Sequence, residues 1–166
     1  EEYNITSAAA ESGFLFQAPN RAQGFRIEFS EKGIVVSPLS NDKAGWSWGL
    51  ELIERAQDSR HKADVTVKGN RLEIGRENIT EWYINSPDGL EQGFTINKPL
   101  GHDGKLNIDM KLKGGLHPKF AEDGQAIDFY DNSHVAVLSY SKLIVTDAAG
   151  VVLPSKFEAV NGGIRI

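Results

Sequence analysis

Apolar and polar residues alternate at period two along most of this chain, the pattern of strands with one face buried and one face wet. Phe25, Ile27 and Phe29 fall on one face, with Arg26 and Glu28 on the other. Ser30-Glu31-Lys32-Gly33 reads as a hairpin turn with Gly33 free to take positive φ, and Ile34 to Ser37 return as the partner strand until Pro38 stops it. The same grammar repeats. Trp46-Ser47-Trp48-Gly49-Leu50-Glu51-Leu52 alternates, with Trp46 and Trp48 on one face. Val65–Val67 and Leu72–Ile74 flank a turn at Lys68-Gly69-Asn70-Arg71, and Ile79–Asn85 and Leu90–Ile96 flank Ser86-Pro87-Asp88-Gly89. Lys105–Leu112 is the cleanest alternation and predicts Leu106, Ile108, Met110 and Leu112 facing inward. Four further strands are predicted at Ala126–Phe129, Val135–Leu138, Leu143–Thr146 and Phe157–Val160. Ala8–Ser12 and Ile53–Lys62 each have room for a short helical turn, but neither carries a full amphipathic stripe. Turns about every 8–12 residues predict an all-β fold: an antiparallel two-sheet β-sandwich of about 10–14 short strands and little helix.

Length and composition narrow this further. The chain has 166 residues, 18.2 kDa, the size of one domain, with no linker long enough to divide residues 1–166. Its net charge of −5 has no concentrated basic stripe, which argues against nucleic acid as a partner. No apolar run approaches the ~20 residues of a helical membrane span, so no membrane insertion is expected. The absence of cysteine removes disulfides, thiolate metal sites and cysteine nucleophiles. The start at Glu1-Glu2-Tyr3 suits a processed or truncated terminus. Gly162-Gly163-Ile164-Arg165-Ile166 reads as a strand just begun, so a fragment of a longer chain is expected.

Candidate chemistry is sparse. His61, His102, His117 and His134 show no metal-ligand spacing, and no nucleophile elbow or phosphate loop occurs. Glu81 and Glu91 flank the turn before Gly89, and a direct hairpin would bring them near each other as an acid–base pair. Trp82, Tyr83 and Gln92 stand beside them, and aromatics next to carboxylates suit a sugar site. Trp46 and Trp48 form a stacking platform if their face is exposed and core if it is not. No cofactor is indicated; Asp103, Asp123, Asp128 and Asp131-Asn132 are the candidates for calcium, although Asp is also an ordinary turn residue.

Several stretches resemble the β-rich region near the N-terminus of large exported bacterial proteins carrying FG-GAP (integrin-α-like propeller) repeats. They are Glu2–Thr6, Ala18–Arg26, Phe29–Val36, the W-x-W-G-L strand Trp46–Leu50, and Leu143–Leu153 with Pro154. The most specific is Thr80-Glu81-Trp82-Tyr83-Ile84-Asn85 followed by Gly89-Leu90-Glu91-Gln92-Gly93-Phe94-Thr95, which resembles that family's T-E-W-Y-x-N-x-x-x-G-L-E-Q-G-F-T. The resemblance covers nearly the whole chain in matching order. It implies a secreted or cell-surface protein and carries no catalytic residue. In that motif Trp82 and Phe94 are expected in the core, and Asn85, Gly89 and Gly93 are expected to fix the turn and a close backbone approach. Glu81, Glu91 and Gln92 then either satisfy buried backbone groups or contact a ligand.

The leading expectation is a non-catalytic extracellular structural or adhesion module that positions a downstream propeller of the same chain. A cell-surface protein or a polysaccharide is the other partner to consider. One alternative is a carbohydrate-binding module using exposed Trp46, Trp48 or Trp82 with Glu81 and Gln92; it requires at least two of those aromatics exposed on one surface. A second is a sugar hydrolase or epimerase using Glu81 and Glu91, which requires both carboxyls in one cleft.

Overall fold

The computed structural model describes residues 2–39, 45–53, 63–98 and 106–166. Strands β1 (Thr6–Ser7), β2 (Phe16–Asn20), β3 (Phe25–Ser30), β4 (Gly33–Pro38) and β5 (Trp48–Leu52) run as one antiparallel meander. A second meander, β6 (Asp64–Lys68), β7 (Arg71–Gly75), β8 (Ile79–Ser86) and β9 (Gly89–Ile96), forms its own four-stranded sheet. Strand β10 (Asp109–Gly114) then returns to pair with β5. Strands β11 (His117–Phe120), β12 (Ile127–Tyr130) and β13 (Ala136–Tyr140) make a three-stranded sheet, and β14 (Val145–Thr146) and β15 (Val152–Leu153) a two-stranded one. Finally β16 (Glu158–Val160) and β17 (Gly163–Arg165) complete an eight-stranded sheet of order β1-β2-β3-β4-β5-β10-β17-β16.

The fold is all-β, with many short antiparallel strands, as the alternation predicts. One 3-10 turn at Ala10–Ser12 falls inside the predicted Ala8–Ser12 segment. Residues 54–62, most of the other helical candidate, lie outside the described residues, as do His61, His102 and Asp103. The described strands number seventeen, more than expected, because strands such as β1, β11 and β15 span only two to four residues each. Such strands are too short to show a periodicity of their own. β2 was also missed, since Phe16-Gln17-Ala18-Pro19-Asn20 carries small and polar residues at its buried positions.

The inner face of the wide sheet is covered by the two smaller sheets side by side. Phe29 on β3 meets Tyr83 on β8 edge-to-face, with ring centroids 5.6 Å apart. Trp48 on β5 meets Phe129 on β12 at 5.2 Å. The core is continuous across all three sheets and includes Ile27, Phe29, Leu50, Leu72, Ile74, Met110, Ile127 and Ile164, none of them exposed to solvent. The expected inward set holds for Ile108 and Met110, which are buried, and for Leu112, which packs partly buried against the core, whereas Leu106 is 41% exposed.

Gly33 closes the β3–β4 hairpin, as its position in the turn predicts. Its φ is +154°, and a Cβ there would lie 2.0 Å from the Leu50 carbonyl oxygen. That oxygen belongs to the β5 backbone and has no room to move, so the strands approach this closely only with glycine between them.

Candidate functional site

The β8–β9 hairpin holds four of the six residues singled out by sequence, and its register decides what they do. Glu81 pairs with Phe94, Tyr83 with Gln92 and Asn85 with Leu90; Glu91 pairs with Ile84 and Trp82 with Gly93. Side chains alternate across a strand, so Glu81, Tyr83, Asn85, Gln92 and Phe94 share the inner face, while Trp82 and Glu91 share the outer one. Two expectations are thereby corrected. Glu81 and Glu91 lie on opposite faces, the first fully buried and the second exposed, so they form no acid–base pair. Trp82 is not in the core with Phe94, because the direct partner of Phe94 is Glu81 and not Trp82. Alternation suggests burial for both; hairpin register places only one of them inside.

The inner face carries a closed polar cluster. Glu81 Oε1 accepts from the Tyr83 hydroxyl at 2.5 Å and from Gln92 Nε2 at 2.8 Å. Glu81 Oε2 accepts from Arg76 Nη1 at 3.1 Å. Arg76 Nη2 also donates to the Glu31 carbonyl at 2.8 Å, tying the β7–β8 connection to the β3–β4 turn. The Tyr140 hydroxyl on β13 donates to Gln92 Oε1 at 2.9 Å, and Gln92 also stands 3.8 Å from Met110 Sδ. The carboxylate's own partners all come from the four-stranded meander, and Gln92 and Arg76 link them onward to the other two sheets. Gln92 and Glu81 satisfy side chains, not the backbone groups expected from sequence.

Burial pushes the Glu81 carboxyl above the usual carboxylate value, and desolvation outweighs the opposing pull of Arg76 and of the hydrogen bonds from Tyr83 and Gln92. Burial, reinforced by the Glu81 charge, raises both Tyr83 and Tyr140, so their hydroxyls remain protonated donors. The consequence for stability has a definite sign. Between the unfolded value of 4.5 and the raised native value, the native state holds a proton that the unfolded chain has lost. The stabilisation from Glu81 is therefore fully present below 4.5 and is lost as pH rises through the native value. Denaturant titrations of wild type and Glu81→Gln at a series of pH values are expected to show the wild type gaining relative to the variant as pH falls toward 4.5. A pH-independent difference between the two would contradict this.

A second buried set stitches β2 to β8. Asn20 and Asn85 are both completely buried. Asn20 Nδ2 donates to Asn85 Oδ1 and to the Ser86 carbonyl, each at 2.8 Å. Asn85 Nδ2 donates to the carbonyls of Tyr3 and Pro19, each at 3.0 Å. Asn85 was expected to fix its own turn; instead its side chain joins the two sheets. Such long-range partners leave no local sequence signal, and the same holds for the roles of Arg76, Tyr83, Tyr140 and Asn20. The one available clue was that Glu81, Tyr83 and Asn85 share parity with the apolar Ile79.

The tryptophans offer no shared platform. Trp48 is buried against Phe129 and Tyr140, and its indole N–H has no hydrogen-bond partner among the described residues. Trp46 is partly buried against the same core. Trp82 lies on the outer face of the four-stranded sheet. One side of its ring covers Gly93, where a Cβ would sit 2.0 Å from the indole. Arg71 stacks on the ring with its guanidinium carbon 4.6 Å from the centroid, held by an ion pair to Glu73 at 2.7 Å. The exposed-tryptophan arrangement required for sugar stacking is therefore not formed.

Of the aspartates considered for calcium, Asp123 and Asp131 cap the turns that follow them. Asp123 Oδ1 accepts from the Gln125 amide, and Asp131 Oδ1 from the Ser133 and Val135 amides. Among the described residues no group of three or more His, Asp or Glu is placed to hold a metal ion. Comparison with known protein families, with curated proteins and with solved structures finds no match.

Proposed function

We propose that this chain is a non-catalytic structural module of an exported or cell-surface protein, and that it works by docking against a neighbouring protein domain. The observation that carries this reading is the inward saturation of Glu81, Gln92, Tyr83 and Arg76, which spends the most distinctive polar residues on the core itself. Glu81 and Tyr83 have no solvent exposure, so neither reaches a substrate.

A surface suited to docking lies elsewhere. Ile144 is 72% exposed and Val152 68%, and Val151 and Leu153 accompany them on the β14–β15 hairpin. Clustered exposed aliphatics on one short hairpin favour burial against a partner. The resemblance to the FG-GAP proteins supplies the kind of partner, a propeller in the same polypeptide. Amide hydrogen exchange of this chain alone, compared with the longer exported polypeptide that this reading predicts, is the test. New protection at residues 143–153 supports docking. Unchanged exchange there, together with a raised unfolding temperature in the presence of a polysaccharide, would replace it with carbohydrate binding.

A further inference from the structure

We propose that a cleft on the outer side of the three-stranded sheet, bounded by His117, Lys119, Tyr130 and His134, binds an oxyanion group such as phosphate, sulfate or carboxylate. The register builds it. His117 pairs with Tyr130, and Lys119 lies two residues on along β11, so the three project to the same face. Phe129, between Asp128 and Tyr130, turns to the core. The cleft is a shallow, open depression of about 320 Å³, room for a small polar ligand at the surface.

Its far wall is a rigid loop. Asp131 Oδ1 accepts from the amides of Ser133 and Val135, and the His134 amide donates to the Asp131 carbonyl at 3.0 Å. His134 itself sits at φ +61°, the left-handed region that a non-glycine residue rarely occupies. The His117 ring is fixed by Nε2 at 3.0 Å from Asn132 Oδ1. The His117 ring is thus held by Asn132, and the loop backbone sets the position from which His134 projects.

The chemistry of the lining selects the ligand. Lys119, Tyr130 and His134 have no side-chain hydrogen bond or ion pair among the described residues, and no carboxylate lines the cleft. Two acids flank it: Asp131, whose Oδ1 is occupied by backbone amides, and Asp128, the cross-strand partner of Lys119 on the same face, with which it makes no ion pair. The lining itself is Lys119, Tyr130 and two histidines around Pro118, with no acid among them, and Asp128 stands at its edge opposite Lys119. The Lys119 ammonium is donor-only, and the Tyr130 hydroxyl and an imidazole N–H add donors beside it, a set that matches an anionic, acceptor-only group. Two imidazoles fall short of the three or four ligands that zinc takes.

Separate titrations with inorganic phosphate, sulfate and glucuronate, followed by amide and imidazole NMR shifts, test this. Saturable shifts confined to residues 117–119 and 130–135 are expected with at least one anion. Phosphate or sulfate acting alone would point to a phosphorylated or sulfated ligand, and glucuronate to an acidic glycan. The double variant Lys119→Met, His134→Ala is expected to bind at least about tenfold more weakly. Both residues are exposed, so its unfolding temperature serves as the folding control. Shifts spread over other surface lysines such as Lys68 and Lys142, or binding unchanged in the folded double variant, would overturn the proposal. So would tight zinc binding at the two histidines with no response to any anion.

Discussion

Replacing Arg76 by Met is expected to destabilise the protein by about 3–5 kcal/mol at neutral pH, because it leaves the Glu81 carboxylate buried without its countercharge. Both side chains are almost wholly enclosed, at 2% and 0% exposure. Water therefore does not screen the loss, as it would at the half-exposed Arg71–Glu73 pair. The double variant Arg76→Met, Glu81→Gln separates charge from shape. Its amide keeps an acceptor for the Tyr83 hydroxyl and carries no charge, so it is expected to recover a large part of the stability lost in the single variant. Urea unfolding of the four proteins in the cycle gives the answer. A cost below about 1 kcal/mol for Arg76→Met would mean that Glu81 is protonated in the native state at neutral pH, and that the cluster is held by neutral hydrogen bonds. The raised carboxyl makes that outcome a sharp alternative: it would move the pH dependence of Glu81→Gln to higher pH as well.

Asn85→Ala is expected to cost about 3 kcal/mol, since one truncation of a fully buried side chain removes three hydrogen bonds at once, from the buried Asn20 amide and to the partly buried carbonyls of Tyr3 and Pro19. Asn70→Ala is the comparison. Asn70 Nδ2 makes one bond, to the Asn85 carbonyl at 2.8 Å, from a partly exposed position, so about 1 kcal/mol is expected there. The contrast isolates burial from hydrogen-bond chemistry. Equal costs for the two variants would show that water enters the β2–β8 junction and replaces the lost amide. Hydrogen exchange offers a second readout, because loosening at Asn85 is expected to release the N-terminal segment around Tyr3 before the rest of the sheet.

These two sites also explain why the candidate residues were easier to find than to interpret. The stretch Thr80–Asn85 with Gly89–Thr95 stands out because it joins polar residues to strand positions that alternate with apolar ones. Its hairpin turn, Ser86-Pro87-Asp88-Gly89, was legible, and so were the strand ends within about a residue. The face assignment was not. Alternation with Phe94 suggests an inward Trp82, but the inward parity in β8 belongs to Glu81, Tyr83 and Asn85. A sequence reader weighs hydrophobicity and so chooses the tryptophan. The fold accepts Trp82 outside because Gly93 lies directly opposite and gives the indole a backbone surface to cover, with Arg71 above it.

The sequence by itself determined the all-β class, most of the hairpins and the aliphatic core positions, because alternation and turn residues are local properties that the backbone obeys before any tertiary contact forms. It fixed Phe25, Ile27 and Phe29 against Arg26 and Glu28, and it placed Gly33 at the tight turn. Only the tertiary structure decided that Arg76, Glu81, Tyr83, Gln92 and Tyr140 form one cluster, and that Asn20 reaches Asn85 across 65 residues. It alone decided that the layer over the wide sheet is divided between two narrower sheets. Buried polar groups must find partners wherever the chain brings them, and those partners come from strands distant in sequence. No periodicity records that encounter, because it depends on how sheets stack and not on how any strand is written.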